Sequence, residues 1–278
     1  MDTLLPIAII TPSYNQGPYL ETTIQSVLAQ HYPGLEYLVI DGGSTDGTLA
    51  ILRRYENRLQ WLSEPDTGQA NAINKGFRRS SGQIIGWLNS DDIYLPGALA
   101  RVGEFFQQHP AIDVLYGDFW WIDEQGRKLL ARREIPFDAN ILLYGLNYIG
   151  QPTVFFRRQI FDRAGYLDES LHYGLDWEYW LRIAQHGGKF AHLPHFLAAT
   201  RLHATAKTIA APPEMFAEHR AIRQKYWRRR RFASPQLQGL YEVWLNKWYR
   251  AKRQVLKIIW RQTFDWLPGN SIMNLHKD

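Results

Sequence analysis

Two adjacent acids, Asp91 and Asp92, follow directly after an apolar run in the segment GWLNSDDIY, residues 86–94. Carboxylates at the end of a buried strand repel each other and lose hydration, so a protein keeps such a pair where a cation lies between them or where both reach water. Most adjacent acids are solvated turn residues or helix caps, and Pro96 offers the start of a helix close by. The pair alone predicts either a divalent-cation site or a turn.

The elements that position this pair alternate between strand and helix. Strands are predicted over residues 7–10, 35–41, 59–66 and 82–92, and helices over 19–30, 48–55 and 68–80. This alternation is typical of an α/β domain with a mostly parallel sheet, in which ligands bind beyond the carboxyl ends of the strands. Polar clusters occur at three of these ends, namely Thr11–Asn15, Asp41–Asp46 and Asn89–Asp92.

The middle of the chain, residues 111–212, is less regular. A hairpin is predicted around residues 124–126, a helix over 176–187, and one or two strands over 189–203. The segment AAPPEM, residues 210–215, is the best boundary with the remainder of the chain.

Composition limits the classes of protein. The 278 residues are 45% hydrophobic, which is enough for one large domain with an appendage. The absence of cysteine excludes disulfides and thiolate metal sites. The sequence shows neither a secretory signal nor an apolar run of about 18 residues, so no bilayer-spanning helix is expected.

Charge divides the chain into two parts. Residues 1–212 hold 18 basic and 22 acidic residues, whereas residues 213–278 hold 14 basic and 5 acidic ones. The first part is therefore −4 and the second +9, which together give the net charge of +5. The basic character belongs to the C-terminal part, which predicts a second functional region there.

Four segments together resemble glycosyltransferase family 2. They are IITPSYNQGPYLETTIQSVLAQHYPGLEYLVIDGGSTDGT, DTGQANAINKGFRRSSGQIIGWLNSDDIYLPGAL, DESLHYGLDWEYWLRIAQHG and TRLHATAKT, which occur in the family's order within residues 5–208. The resemblance implies a GT-A fold, inverting transfer from a nucleotide sugar, here a UDP-sugar, and a divalent metal, Mn²⁺ or Mg²⁺.

For the metal, the resemblance implies Asp92 as a direct ligand. Asp91 would share the metal or contact the ribose of the nucleotide, and His203 would complete the metal shell. The family's motif often reads acid-x-acid, whereas Asn89 occupies its first position here. The division of roles between the two acids therefore stays open, and His203 could instead be a hydrogen-bonded loop histidine.

For the nucleotide, the resemblance implies a hydrogen bond from a uracil N–H to Asp41, which as a carboxylate only accepts. The residues that the resemblance places at the nucleotide are Thr11, Pro12, Tyr14, Asp41, Asp66, Lys75 and Asp91. The alternatives are that Asp41 is a turn residue and that Lys75 is a solvated helix residue.

For the chemical step, the resemblance implies Asp176 as the base that accepts the proton of the acceptor hydroxyl. The family usually carries Glu-Asp at this point, whereas this chain reads Leu175-Asp176. Glu178 is the rival base, helix capping is the alternative role of Asp176, and Trp177 and Glu178 are candidate acceptor contacts.

Residues 225–264 hold 11 basic residues and one acid, Glu242. Apolar residues recur at helical spacing, namely Leu237, Leu240, Tyr241, Trp244, Leu245, Trp248, Val255, Leu256 and Ile259. Basic residues fill much of the remaining surface, namely Lys247, Arg250, Arg253, Lys257 and Arg261. The pattern favours a helix on an anionic membrane surface. Packing on the domain or a second subunit is the next alternative, and nucleic-acid binding is third, because no nucleic-acid motif is present.

The sequence thus predicts a metal-dependent inverting glycosyltransferase acting on a glycan, lipid-linked or polysaccharide-precursor acceptor at the cytoplasmic face of a membrane. Residues 1–212 form the predicted catalytic domain, with a nucleotide-binding half, 1–110, and an acceptor half, 111–212. Residues 213–278 form the helical tail. A non-catalytic nucleotide-sugar-binding protein and a nucleic-acid-binding protein remain the alternatives.

Overall fold

The computed structural model describes residues 4–204, 206, 212–227, 232 and 234–261. The strands are β1 (Ile7–Ser13), β2 (Leu35–Asp41), β3 (Gln60–Ser63), β4 (Ile84–Trp87), β5 (Ile93–Tyr94), β6 (Val114–Ile122), β7 (Lys128–Arg132), β8 (Phe155–Arg157) and β9 (Phe190–Arg201). The α-helices are α1 (Gly17–Leu28), α2 (Thr48–Arg54), α3 (Gln69–Arg79), α4 (Ala98–Gln108), α5 (Ile160–Ala164), α6 (Leu175–Gln185), α7 (Pro213–Lys225) and α8 (Pro235–Arg261). A π-helical segment (Ile141–Gly145), hereafter the π segment, and a 3₁₀ turn (Gln151–Thr153) precede β8.

The first half is the predicted parallel α/β unit. Strands β3, β2, β1 and β4 lie side by side and parallel, with Ile7 paired to both Leu35 and Ile84. Strands β1 and β4 are buried on both faces, which explains why they read as continuous apolar runs. Their carboxyl ends lie at the same edge of the sheet.

The second half extends the sheet in mixed orientation. Strand β8 runs antiparallel to β4 and β6, β6 runs parallel to β9, and the short β5 pairs antiparallel with the end of β9. The pairing of Ile93 with Ala199 carries residues 200–203 to the segment just before β5. Two segments more than 100 residues apart therefore meet at the edge where β4 ends.

Several predicted bounds needed correction. The predicted strand 82–92 ends at Trp87, because the chain turns through residues 88–92 before β5. The one or two strands predicted over residues 189–203 form the single strand β9. Its pairing with β6 shifts register near Gly117 and Asp118. The predicted hairpin around residues 124–126 is confirmed by the antiparallel pairing of β6 with β7.

Helices α7 and α8 pack on the same core as the sheet. Ile222 of α7, Tyr226 directly after it, and Leu245 and Tyr249 of α8 are buried in the hydrophobic cluster that also contains Trp87. The inner face of the predicted tail is therefore part of the folded domain. Much of the predicted boundary near residue 210, together with residues 228–231 and 262–264 of the basic region, lies outside the described residues.

Two basic residues of α8 are buried, contrary to the prediction that they face lipid. Arg253 and Lys257 are 2% and 0% exposed, and both approach the fully buried Glu134. Arg253 donates through Nε and Nη2 to that carboxylate. Because an unpaired buried carboxylate is costly, this pairing fixes the inner face of α8.

The opposite face of α8 is apolar and exposed. Nine large apolar residues of α8 are each more than half exposed. Six of them recur every three to seven positions along one face; we call them the outer stripe, which consists of Leu237, Leu240, Trp244, Trp248, Val255 and Ile259. The rings of Trp244 and Trp248 stack with centroids 6.0 Å apart. In the described part of the chain, no helix combines the length and the apolar character that crossing a bilayer requires.

Candidate active site

A cavity of about 440 Å³ opens at the carboxyl ends of β1 and β4. Four segments line it: Pro12, Ser13, Tyr14 and Gln16 at the end of β1 and just after it; Asp66, Gly68, Gln69 and Ala72 around the start of α3; Asn89–Asp92 after β4; and Thr200, Arg201, His203 and Ala206 at the end of β9 and just after it. The cavity is where the strand order predicts a ligand, because the strand ends converge there.

The turn that carries Asp91 and Asp92 is fixed by α1. The hydroxyl of Thr23 donates to the carbonyl oxygens of Ser90 and Asp92, at 2.9 and 2.8 Å. Asp92 is 2% exposed, and its Oδ1 accepts the backbone N–H of Arg201 at 3.0 Å. The two acids therefore have rigid and unequal positions, with Asp92 deeper.

His203 reaches the same place from the end of β9. Its Nε2 lies 2.9 Å from Oδ2 of Asp91, and its ring contacts that of Tyr19 with centroids 4.8 Å apart. The structure thus brings together Asp91, Asp92 and His203, as the resemblance implied.

Electrostatics make this group a candidate for binding positive charge. Burial, followed by the neighbouring charge of Asp91, raises the pKa of Asp92 well above its usual value. Two carboxylates in this position favour an added cation, because it offsets both the lost hydration and the mutual repulsion.

The donor set fits a divalent cation that takes few protein ligands. Among the described residues, no group of three or more His, Asp or Glu side chains is arranged as a ready-made metal cage. Mg²⁺ and similar ions are commonly held by one or two carboxylates and completed by substrate phosphates and water. Asp91, Asp92 and His203 at a cavity wall suit that pattern better than a closed all-protein site.

Arg201 is a site residue that sequence reasoning missed. Its guanidinium donates to the carbonyl oxygens of Asp91, Asp123 and Glu124 and lies over the ring of Tyr19. It ties the turn of the two acids to the β6–β7 hairpin. The sequence feature that could have identified Arg201 is its position two residues before His203, in the family-like segment TRLH.

The nucleotide-side residues divide into two groups. Pro12, Tyr14 and Asp66 line the cavity, and Tyr14 is 62% exposed. Thr11 is fully buried and its hydroxyl bonds to that of Tyr37, so Thr11 supports the wall instead of flanking a base.

Asp41 is fully buried and does not line the cavity. Its carboxylate accepts the N–H groups of Gly43 and Ser44 and the hydroxyls of Ser44 and Ser63. Beside it, a Cβ at Gly42 would lie 2.5 Å from Oδ2 of Asp66, so this loop needs glycine to approach Asp66. In this structure Asp41 shapes the loop, and its contact with uracil stays a prediction.

Lys75 makes its contacts outside the cavity lining in this structure. Its Nζ lies 2.8 Å from Glu64 Oε1 and donates to the carbonyl oxygen of Pro65. Its ammonium therefore fastens α3 to the segment after β3, and it is absent from the cavity lining.

Asp176 lies half-buried in the first turn of α6. Its Oδ2 accepts a hydrogen bond from Nδ2 of Asn147 at 2.9 Å, and its Oδ1 accepts the backbone N–H of Trp177. Burial raises the pKa of this carboxyl above its usual value. A carboxylate with a raised pKa is a stronger proton acceptor when ionised, which suits a general base.

Asp176 is not among the cavity-lining residues, but its helix lies beside them. Trp180, one turn further along α6, stacks on Trp87 at the end of β4 with ring centroids 5.3 Å apart. In the loop before α6, His172 approaches Gly68 of the cavity wall, where a Cβ would lie 3.6 Å from the imidazole ring. The loop before α6 therefore contacts the cavity wall at Gly68.

The two predicted acceptor contacts are interior residues. Trp177 is 3% exposed and donates its indole N–H to the carbonyl oxygen of Leu142. Glu178 is 1% exposed and accepts from Arg182, Lys225 and the hydroxyl of Tyr226. Hydrogen bonds from these three groups lower the pKa of Glu178 against the effect of burial. Both roles are structural, and Glu178 is no rival to Asp176 as a base.

Comparisons with known proteins agree with the geometry. The model of Glycosyl transferase family 2 matches residues 8–165. An uncharacterised glycosyltransferase of Rickettsia prowazekii is 28% identical over 215 residues, covering 74% of this chain and 66% of that protein. One from a Nostoc species is 26% identical over 227 residues, covering 74% of this chain and 68% of that protein.

Two solved structures share the fold. TarS 1–349 of S. aureus, in complex with UDP-GlcNAc, has a TM-score of 0.65 at 18% identity, covering 96% of this chain and 76% of that one. The mannosyltransferase PcManGT of Pyrobaculum calidifontis, in complex with GDP-Man and Mn²⁺, has a TM-score of 0.63 at 18% identity, covering 99% and 80%. The chain spans about two thirds or less of the first curated relatives, 66% and 58% of two Rickettsia proteins.

Proposed function

The chain belongs to glycosyltransferase family 2, and from that premise we propose that it transfers a sugar from a nucleoside diphosphate sugar to an acceptor hydroxyl with inversion. The observation that carries the proposal is the convergence of Asp91, Asp92 and His203 on one cavity. The raised-pKa carboxyl of Asp176 lies at the start of α6, and the loop before that helix approaches the cavity wall at Gly68. The first three supply a diphosphate-side site, and the last supplies a proton acceptor.

In the proposed step, Asp176 accepts the proton of the acceptor hydroxyl while its oxygen forms a bond to the anomeric carbon. The bond from that carbon to the phosphate oxygen breaks, and the nucleoside diphosphate departs with the electron pair. A base on the side opposite the leaving group gives inversion. Asp91, Asp92 and His203 would hold Mn²⁺ or Mg²⁺, which when bound offsets the negative charge growing on the diphosphate.

We propose a UDP-sugar as the donor. TarS was solved with UDP-GlcNAc and PcManGT with GDP-Man, so both bases are compatible with this fold. Tyr14 and Pro12 offer the surface against which the base would pack. The proposed acceptor is a glycan or lipid-linked precursor of a polysaccharide.

A screen of UDP-, GDP- and dTDP-sugars for metal-dependent transfer or hydrolysis tests the activity, with Asp176→Asn as the matched variant. Turnover with Mn²⁺ by the wild type, and its loss in Asp176→Asn with donor binding retained, supports the proposal. Donor binding with no turnover by either protein would favour the non-catalytic nucleotide-sugar-binding alternative.

We also propose that the outer stripe lies on an anionic membrane at the cytoplasmic face. Exposed tryptophans at helical spacing on an otherwise folded domain are typical of interfacial helices, and Lys247 is exposed on the same helix. The burial of Arg253 and Lys257 removes two of the predicted lipid-facing charges. Apolar burial should therefore contribute more, and charge less, than the sequence pattern predicts.

Flotation with neutral and anionic vesicles at low and high salt tests this attachment. We expect binding of the full chain that weakens only in part at high salt, because salt screens charge and not apolar burial. The double variant Trp244→Ala/Trp248→Ala should stay unbound, and Lys247→Ala should bind less well only at low salt. No flotation, together with a dimer that the tryptophan variant abolishes, would assign the stripe to a second copy of the chain.

A further inference from the structure

The π segment lies between α6 and α8 and is bonded to both helices through its carbonyl groups. The indole N–H of Trp177, on α6, donates to the carbonyl oxygen of Leu142 at 2.8 Å. The side-chain amide of Asn246, on α8, donates to the carbonyl oxygens of Tyr144 and Gly145, at 3.0 and 2.6 Å. The last carbonyls of a short helix lack intrahelical partners, so these side chains satisfy them.

Contact with α8 is also close at the backbone. A Cβ at Gly145 would lie 3.3 Å from Cβ of Tyr249, which is tighter than ordinary packing. The rings of Tyr144 and Tyr249 stack with centroids 5.5 Å apart. Helix α8 thus fixes the position of the π segment by hydrogen bonds and by packing.

Asn147 follows the π segment by two residues and reaches the carboxyl group of Asp176. Its Nδ2 donates to Oδ2 of Asp176 at 2.9 Å. The opposite orientation of the amide would place two oxygens against each other, so only the Nδ2 end suits the ionised carboxylate. Two consecutive residues of α6 are therefore bonded to residues 142–147: Trp177 to Leu142 in the π segment, and Asp176 to Asn147 just after it.

We propose that Asn147 is a positioning residue for the Asp176 carboxylate, and that α8 holds Asn147 in place through Asn246 and the π segment. This proposal rests on the proposed function, in which Asp176 is the base. It makes the C-terminal helix a support of the reaction centre in addition to any surface role.

Among the side chains near Asp176, Asn147 is the one that stabilises its ionised form by a hydrogen bond. Glu218, on α7, is negative and raises the pKa of Asp176. His219, also on α7, contacts Trp177, and burial lowers its pKa. Glu178, on α6, is bonded to Arg182, Lys225 and Tyr226 instead. The bond from Asn147 favours the ionised form of Asp176, so removing it should raise that pKa further.

Titration of the Asp176 carboxyl carbon by NMR tests this in the full-length protein, with Asp176→Asn used to assign the resonance. We expect Asn147→Ala to raise the pKa of Asp176 by about one pH unit, the scale of one hydrogen bond to a charged group. Asn246→Ala should shift it in the same direction by less. Gln236→Ala removes an exposed amide on α8; it is the matched control and should leave the pKa of Asp176 unchanged.

The pH dependence of kcat/KM provides the second readout. The acid limb should move upward by the same amount in Asn147→Ala, with the donor KM unchanged. If the pKa of Asp176 is unchanged or lowered in Asn147→Ala, the positioning role of Asn147 is wrong. If that pKa shifts in Asn147→Ala but not in Asn246→Ala, the supporting role of α8 is wrong. If Asn147→Ala does not fold, Asn147→Ser and Asn246→Ala give the same comparison.

The NMR shift needs no turnover, so it separates the two proposals. Suppose that the pKa of Asp176 shifts in Asn147→Ala but the transfer rate does not depend on Asp176. The positioning role of Asn147 would then be supported, and the role of Asp176 as the base would be contradicted.

Discussion

At Asp92 the requirements of ligand binding and of folding stability oppose each other. The side chain is 2% exposed, and burial raises its pKa well above the usual 3.8. For an acid with a raised folded-state pKa, the ionised form disfavours folding, so its stabilising contribution is lost as the pH rises above about 4. A cation at the site would reverse that cost.

We therefore expect Asp92→Asn to raise the thermal midpoint of the metal-free protein at pH 7 and to abolish Mn²⁺-dependent UDP binding. The amide oxygen can still accept the N–H of Arg201, so the turn should keep its shape. Differential scanning calorimetry and titration calorimetry measure the two effects, with the exposed Asp162→Asn as control. Unchanged Mn²⁺-dependent affinity would contradict the assignment of Asp92 to the metal.

Asp176 should set the acid limb of activity. Because burial raises its pKa above 3.8 and only the ionised form accepts a proton, kcat/KM should fall as the pH drops through that raised value. Asp176→Asn should lose about 10²–10⁴ in rate with donor affinity retained. A stopped assay with buffers of constant ionic strength checks both, and a variant with near-normal turnover would move the role of base elsewhere.

At the scale of the element, α8 depends on a buried ion pair with the segment after β7. Glu134 is fully buried against Arg253, with Lys257 alongside. Glu134→Gln leaves those cations without their counter-charge. Removing one partner of a buried pair costs about 3–5 kcal/mol, so we expect a lower urea midpoint of unfolding.

The exposed Glu104→Gln on α4 is the matched control for Glu134→Gln, since it removes the same charge without burial. Equal midpoints for the two variants would show that α8 is not fastened through Glu134.

At the scale of the whole molecule, the question is whether the chain can be cut at residue 212. The sequence alone predicts a catalytic domain over residues 1–212 and a helical tail after it. The structure buries Ile222, Leu245 and Tyr249 in the shared core, and Glu218 accepts the backbone N–H groups of residues 172–174 ahead of α6.

We expect residues 1–212 alone to aggregate or unfold, because they would expose this part of the core and lose the contacts of α7 and α8 with α6 and the π segment. Circular dichroism and size-exclusion chromatography of the truncated and full chains measure the outcome. A monomeric, folded fragment that binds UDP as tightly as the full chain would show that the domain folds and binds without the tail.

The sequence by itself determined the parallel first half, the polar ends of its strands and the pair Asp91–Asp92, because hydrophobic period and turn residues are local properties. The family-like segments named His203 and Asp176 but could not place them. Trp177 and Glu178 lie in the same family-like segment as Asp176, so the sequence offers them as site residues too. Only their burial in the structure distinguishes them from Asp176.

The tertiary structure alone decided which distant segments meet. Pairing of β5 with β9 brings His203 to Asp91, 112 residues away in the chain, and packing of α8 brings Asn246 to the π segment. It also decided which face of α8 is interior, since Arg253 and Lys257 have the spacing of surface residues and yet pair with Glu134 inside. Such contacts depend on strand order and on long-range ion pairing, which no local pattern of residues encodes.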